Sequence, residues 1–449
     1  MTPNDSYQDA LDYIYQFTDY ERRGFATYAP ENYDLRRVEH LLDLLGKPQD
    51  SFQSVHIAGT KGKGSTAAMI ESVLRAQGFR TGLYTSPHLH TFRERIQVDG
   101  EMIPETEVAR LVTKMRPLVA QVEEITTFEV MTGLAFAWYA EQSVEWAVLE
   151  VGMGGRLDAT NVVEPAVAVI TPISYDHVAT LGSTLTKIAT EKAGIIKPGI
   201  PVVCAPQPEE ALTVIEATCK EHDTQLVLVG RDWTWVPAGS DLDGQAFDVH
   251  HGSESATGLW IPLLGKHQLS NATTALATLA QLRAIDVPIS DSAIREGLRA
   301  VYWPARMEIL GYAPLVIADG AHNVDSAEKL RAALEKSFDY EELILIMGAS
   351  PDHATADMLN ALLYGVQRAI VTQSHHPRSA TPRQLQAHAE HLGFQPEVCQ
   401  SVPEALNLAL AEAGPQDLIC CTGSLFVAAE AREAWFARQG LASPPSDPS

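Results

Sequence analysis

The segment His56-Ile57-Ala58-Gly59-Thr60-Lys61-Gly62-Lys63-Gly64-Ser65 brings together the residue types that hold a polyphosphate. Glycines let the backbone curl so that successive N–H groups point at phosphate oxygens. A helix N-terminus behind them adds partial positive charge, and a lysine adds a full one. A serine hydroxyl at the helix start can ligate magnesium. The strict pattern G-x-x-x-x-G-K-[ST] is not met, because no glycine stands at 57 and Gly64 separates Lys63 from Ser65. The plain alternative is a glycine-rich turn in a structural βα unit. The segment points to nucleotide binding and leaves the reaction open.

Further residues could join such a site. Glu150 closes the apolar run Trp146-Ala147-Val148-Leu149; a carboxylate there costs stability if buried unpaired, but beside a phosphate loop it can hold magnesium. The stretch that follows, Gly152 to Asn161, is too glycine-rich and polar for an ordinary connection. Asp176-His177 follows a second apolar run, and Lys192 sits in Glu191-Lys192-Ala193-Gly194-Ile195-Ile196. Taken singly, each has an ordinary reading: an exposed strand-end Glu, a surface His, a salt-bridged helix Lys.

These residues need loops at strand ends, and the chain supplies them. Apolar runs over 54–58, 81–85, 146–151, 166–171 and 201–205 read as buried strands, and 65–77 reads as a helix ended by Gly78. Such alternation predicts an α/β fold with a mostly parallel, doubly wound sheet, its ligands lying beyond the carboxyl ends of the strands. Between 227 and 258, short polar alternations predict a small antiparallel excursion, followed by a helix over 270–285 and another ending near Ala300. Tyr302-Trp303-Pro304 reads as the crossing into a second α/β series, with strands over 315–318, 343–347, 369–372 and 418–421. The expectation is two domains, 1–302 and a smaller Rossmann-like 303–449, with 442–449 a disordered tail rich in Pro and Ser.

Composition narrows the class. Of 449 residues, 45% are hydrophobic and 20% charged, the balance of a soluble globular enzyme. Lys plus Arg total 33 against 57 Asp plus Glu, a formal charge of -24 that disfavours nucleic acid and anionic membrane as partners. An anionic ligand must then be held by a local positive site. Five scattered cysteines with no C-x-x-C pair argue against a disulfide framework or zinc. No signal peptide or membrane span is visible, so a cytoplasmic location is expected.

The loop over 59–65 resembles the G-T-x-G-K-G-S loop of the Mur ligase superfamily, and within it of folylpolyglutamate and dihydrofolate synthases. Glu150 to Asn161 is similar to that family's E-V-G-x-G-G-R-L-D-A-T-N almost residue for residue. Asp176-His177 with Leu181-Gly182 resembles D-H-x-x-x-L-G, and 191–196 reproduces E-K-A-G-I-I. Ser86-Pro87-His88-Leu89 with Arg93-Glu94-Arg95-Ile96, then Thr126-Thr127-Phe128-Glu129, resemble S-P-H-L … R-E-R-I and T-x-F-E. Gly265-Lys266-His267-Gln268 with Asn271, Trp303 to Glu308, and Asp319 to Asn323 resemble G-x-H-Q-x-x-N-A, W-P-G-R-x-E and D-G-A-H-N. The resemblance runs in order from about residue 33 to 435.

The resemblance implies a Mur-type P-loop domain followed by a glutamate-ligase domain. It implies ATP held by Thr60, Lys61, Gly62, Lys63, Gly64, Ser65, Asn271, Arg306 and Asp319. Two magnesium sites would draw on Ser65, Ser86, Glu150 and His177, with a monovalent cation as a further cofactor. Lys192 would be carboxylated by carbon dioxide, which requires a neutral amine and hence burial. Thr126, Thr127, Phe128, Glu129, Leu157, Asp158 and Ala159 would line the folate, and Lys63, His177, Lys192, Arg306 and His322 would carry catalysis. Four departures stand out: Lys61 where many members have Asn, Tyr175 for Leu, Ala305 for Gly, and Ser350-Pro351-Asp352-His353 where D-K-D is commoner.

The reaction implied joins L-glutamate to a folate, with dihydropteroate as a second acceptor, through an acyl phosphate, releasing ADP and phosphate. The partners are then small molecules and the enzyme a monomer. The nearest rival is a cell-wall precursor ligase of the same superfamily; those members carry a UDP-binding domain ahead of the phosphate loop, which here starts at Gly59. A non-catalytic nucleotide-binding regulator is the rival from another class, and it would not need Glu150, His177 and Lys192 together.

Overall fold

The computed structural model describes residues 3–19, 32–350 and 355–447. The first apolar series forms an eight-stranded sheet of β1 (Gln53–Ala58), β2 (Thr81–Tyr84), β3 (Ile96–Val98), β4 (Glu101–Met102), β5 (Trp146–Glu150), β6 (Val167–Ile170), β7 (Val202–Cys204) and β8 (Leu226–Leu228). Their order is β4-β3-β2-β5-β1-β6-β7-β8. The six strands from β2 to β8 pair in parallel, while β3 and β4 add an antiparallel edge. The central strands are mostly apolar because helices cover both faces. Val55, Ile57 and Val148 meet the helices Lys63–Gln77 and Lys266–Ala284, while Ala58, Ala168 and Ile170 meet Leu185–Ala193 and Glu209–Glu221.

The order of strands creates the crevice. From β1 the chain runs through the helix Lys63–Gln77 to β2 on one side; from β6 it runs through Leu185–Ala193 to β7 on the other. Since β1 and β6 are neighbours, their following loops diverge and leave room for a ligand.

β9 (Trp233–Ser240), β10 (Gln245–His251) and β11 (Glu254–Ile261) form the expected antiparallel excursion. The next helix begins at Lys266, four residues before the start read from the sequence. Its polar first turn, Lys266-His267-Gln268, looks like loop, but Gly265 (φ 96°) makes the turn and Gln268 is buried.

A second sheet comprises β12 (Glu308–Tyr312), β13 (Leu315–Ala318), β14 (Leu343–Met347), β15 (Arg368–Val371), β16 (Glu397–Val398) and β17 (Leu418–Thr422), in the order β12-β13-β17-β14-β15-β16. All neighbours are parallel except β12 with β13. Residues 442–447, expected to be a disordered tail, carry no regular element but are held at Asp447. Its carboxylate accepts from the Tyr7 hydroxyl (2.8 Å), the Phe92 N–H (2.8 Å) and the Thr91 hydroxyl. Residues 448–449, and 351–353 of the Ser350 departure, lie outside the described residues. Among the described residues no helix is long and apolar enough to cross a membrane, and all five cysteines are free and buried.

Candidate active site

Four neighbouring parallel strands, β2, β5, β1 and β6, end at one crevice. After β1 the chain turns at Gly62 (φ 84°), the N-cap of the helix Lys63–Gln77. A Cβ at Gly62 would lie 2.4 Å from Asn271 Oδ1, and one at Gly64 would lie 2.6 Å from the Trp303 ring. Only glycine lets those two side chains close on the loop. The loop after β6 is laced to it: the Thr60 and Lys61 N–H groups donate to Pro172 O (3.0 and 3.1 Å), and Ser174 N–H donates to Thr60 Oγ1 (3.2 Å).

Glu150, the last residue of β5, lies 3.7 Å from Lys63 Nζ and accepts from the Ser86 N–H after β2 at 3.2 Å. It is 5% exposed, and burial pushes its carboxyl up against the pull of Lys63. Lys192 is buried too and donates to Gly59 O at 2.8 Å. Burial, reinforced by the charge on Lys63, pushes its amine down to about 7. A substantial neutral fraction at neutral pH follows, as carboxylation requires.

Lys61 bridges the two domains. Its Nζ lies 3.3 Å from Asp176 Oδ2 and 3.5 Å from His322 Nε2. Burial opposes ionisation of Asp176, yet the Lys61 ammonium and the neighbouring cations hold it well below the usual carboxylate range. His322 is pushed down to about 4, first by Lys61 and then by desolvation. The ring Nδ1 donates to Gly320 O (2.8 Å), which leaves Nε2 as the acceptor facing Lys61.

Arg306 faces the crevice from the second sheet, close enough for its charge to act on both Glu150 and His322. It sits between Ala305 (φ 56°) and Met307 (φ 50°), two non-glycine residues in the left-handed region. Two carboxylates hold this turn. Asp319 accepts from Met307 N–H (2.9 Å) and Ala321 N–H (2.8 Å), and Glu308 accepts from Ala305 N–H (2.8 Å). Asp319, read from sequence as an ATP contact, thus accepts with one oxygen from the Arg306 turn and with the other from its own loop at Ala321.

The residues expected to line the folate are similarly engaged. Thr126 and Glu129 form a capping box on the helix Thr127–Glu141, and Thr127 Oγ1 donates to Ile14 O at 3.0 Å. Of these four, Phe128 stays partly open, over Gly152. Asp158 accepts from the Met153 and Thr160 N–H groups, both at 3.0 Å, and so shapes the 152–160 loop, in which Leu157 is partly exposed and Ala159 is buried. Sequence reasoning quoted Asp176 and Gln268 without assigning them. Asp176 is the partner of Lys61, and Gln268 links Asn271 (2.9 Å) to Ser65 (3.5 Å). The D-H and H-Q pairs carried both signals.

The donors suit magnesium. Among the described residues no three of His, Cys, Asp and Glu gather into a cage, and His177 lies beside Asp176 (3.9 Å) on a different loop from Glu150. What the crevice offers is the buried Glu150 carboxylate, with Ser86, whose N–H donates to it, and Ser65, next to the Gly64 that faces it. Oxygen donors this sparse fit an ion that keeps waters and phosphate oxygens in its shell.

Residues 57–279 match the Mur ligase middle domain and residues 305–425 the Mur ligase glutamate ligase domain. The folylpolyglutamate synthase of Lacticaseibacillus casei is 34% identical over 95% of this chain and 98% of its own length. The chain belongs to the folylpolyglutamate synthase/dihydrofolate synthase family of Mur ligases. Within that family the dihydrofolate synthase/folylpolyglutamate synthase of Bacillus subtilis is 33% identical over 89% of this chain and 94% of that protein. A probable bifunctional folylpolyglutamate synthase/dihydropteroate synthase of Haloferax volcanii is 37% identical over 90% of this chain, which spans 49% of that protein's length. Mycobacterium tuberculosis folylpolyglutamate synthase complexed with ADP superposes with a TM-score of 0.88 at 32% identity, covering 98% of this chain and 100% of that one.

Proposed function

We propose that this chain is an ATP-dependent ligase that adds L-glutamate to tetrahydrofolate, and to dihydropteroate, through an acyl phosphate. The observation that supports it most is the meeting of Lys63, Glu150 and Lys192 at the strand ends with Arg306 facing them from the second sheet. An acidic protein has here a local cluster of positive charge, aimed where a γ-phosphate would sit.

In this reading the acceptor's carboxylate attacks the γ-phosphorus and ADP leaves. Lys63 and Arg306 stabilise the charge on the moving phosphoryl group. The glutamate amine then attacks the acyl carbon and phosphate leaves; the mixed anhydride supplies the leaving group that a bare carboxylate lacks. Magnesium, held by Glu150 with Ser65 and Ser86, would add Lewis-acid charge at the phosphates. A carboxylated Lys192 would turn a buried amine beneath the loop into an anion. Lys61 and Asp176 order the loop, and His322 contributes a neutral acceptor at the phosphate side. Tyr302-Trp303 would serve as the crossing between domains 1–302 and 303–449, and closure of one on the other would shut water out.

The test is glutamate-dependent ADP release by the purified protein with dihydropteroate, tetrahydrofolate or a UDP-muramyl peptide as acceptor. Turnover with both pterins supports the two activities. Turnover with tetrahydrofolate alone removes dihydropteroate, and turnover only with the muramyl peptide overturns the substrate class.

A further inference from the structure

A second group of charges lies away from the phosphates and joins the domains through one side chain. Arg432, on the helix Leu425–Gln439, has a side chain only 4% exposed. Its Nε is 2.7 Å from Glu308 Oε2, its Nη2 donates to the Tyr302 hydroxyl at 2.8 Å, and its Nη1 donates to His90 Nε2. The guanidinium also lies 5.3 Å over the Phe436 ring. It thus touches the first domain, the crossing segment and the second sheet at once.

Both ends of this link lead to the site. Glu308 Oε2, the oxygen that pairs with Arg432, is also the acceptor of the Ala305 N–H, and so fixes one side of the left-handed turn that carries Arg306. His90 lies four residues after Ser86, whose N–H binds Glu150. The Leu89 and His90 N–H groups donate to Glu94 at 2.6 and 2.9 Å, which anchors the end of this segment. Arginine can only donate, so His90 Nε2 is the acceptor and its Nδ1 carries the hydrogen that reaches Glu433 Oε1 at 2.8 Å. The His90 side chain is 3% exposed, so its ring is shut away from solvent.

We propose that Arg432 is a positioning residue: through Glu308 it sets Arg306, and through His90 it ties that setting to the seating of the Ser86–His90 segment. Arg306 is then aligned only when the first domain's loop after β2 is docked. The proposal rests on the ligase reading above for its effect on rate, and on geometry alone for the coupling of domains.

Glutamine at position 90 offers an amide oxygen to Arg432 and an amide N–H to Glu433, in the order the histidine uses; leucine offers neither. Steady-state turnover with ATP, tetrahydrofolate and glutamate is expected to fall about tenfold or more in kcat for His90→Leu and Arg432→Lys, with ATP affinity within about twofold of the parent. His90→Gln should recover most of the rate, and adding His90→Leu to Arg432→Lys should cost little more, because both cut one link. Equal loss in His90→Leu and His90→Gln, or fully multiplicative losses in the double variant, would overturn the proposal. Small-angle scattering with a non-hydrolysable ATP analogue reads the coupling without turnover. Compaction in the parent and His90→Gln but not in His90→Leu supports it, and equal compaction in all three sinks it. A parent protein inactive on every pterin would count against the ligase reading and leave the scattering result to decide the coupling.

Discussion

The two sides of the cleft are built on opposite plans. At the strand ends of the first sheet, the charged groups hold one another loosely: Lys63 and Glu150 stand 3.7 Å apart, and Lys61 shares itself between Asp176 and His322. In the second domain, the carboxylates of Asp319 and Glu308 are committed to backbone N–H groups at 2.8 to 2.9 Å around Arg306. One side keeps its charges available to a ligand, and the other uses its charges to aim a single arginine. Substitutions in the first region should therefore strike activity before stability, and those in the second should strike both.

The largest effect expected is at Lys63. Lys63→Ala should lower kcat on the order of 10³-fold, read in the ADP-release assay, because it removes the ammonium set against the phosphoryl group beside Glu150. Arg306→Lys should cost about tenfold to a hundredfold in kcat with little change in ATP affinity, since an ammonium lacks the guanidinium fork.

Lys192 makes a pH-dependent case. Its amine titrates near 7 in the folded chain, so the neutral form that takes up carbon dioxide grows as pH rises through that value and shrinks below it. At fixed dissolved carbon dioxide the rate should climb between about pH 6 and 8, with a carbamate carbon visible by NMR with labelled bicarbonate. A rate indifferent to both would remove the carboxylated lysine.

Asp319→Asn tests the other plan. It should lower stability by about 1–2 kcal/mol, seen as a drop in Tm, along with a moderate loss of kcat, because a carboxylate binding two N–H groups becomes an amide with one acceptor. If Tm stayed put while ATP binding vanished, Asp319 would belong with the ligand-holding side. The smallest effect is at Asp447. Replacing it with Asn should cost about 1 kcal/mol in unfolding and leave turnover unchanged; a large rate effect would make the tail part of the machinery.

Much of the site was legible because the motifs are local. A glycine loop, a strand-end Glu and a Lys in E-K-A-G-I-I each announce themselves within a few residues, and the parallel order then brings them together. The strands missed are the sheet edges β4, β8, β12 and β16 together with β3 beside β4; most are short and carry weak apolar periodicity. The roles of Asp319 and of Thr126 with Glu129 were less legible, because a motif names a residue but not whether its oxygens face a ligand or its own backbone. Arg432 was invisible for a further reason: its partners lie 342 positions away at His90 and 130 away at Tyr302.

The most direct test of the central claim follows an oxygen atom. Tetrahydrofolate labelled with ¹⁸O in its carboxylates is turned over with ATP and glutamate, and the released phosphate is analysed by mass. One ¹⁸O atom carried into each phosphate is the result predicted for an acyl phosphate formed in this crevice. Unlabelled phosphate accompanying normal product would mean that the carboxylate never attacks the γ-phosphorus, and the account would fail.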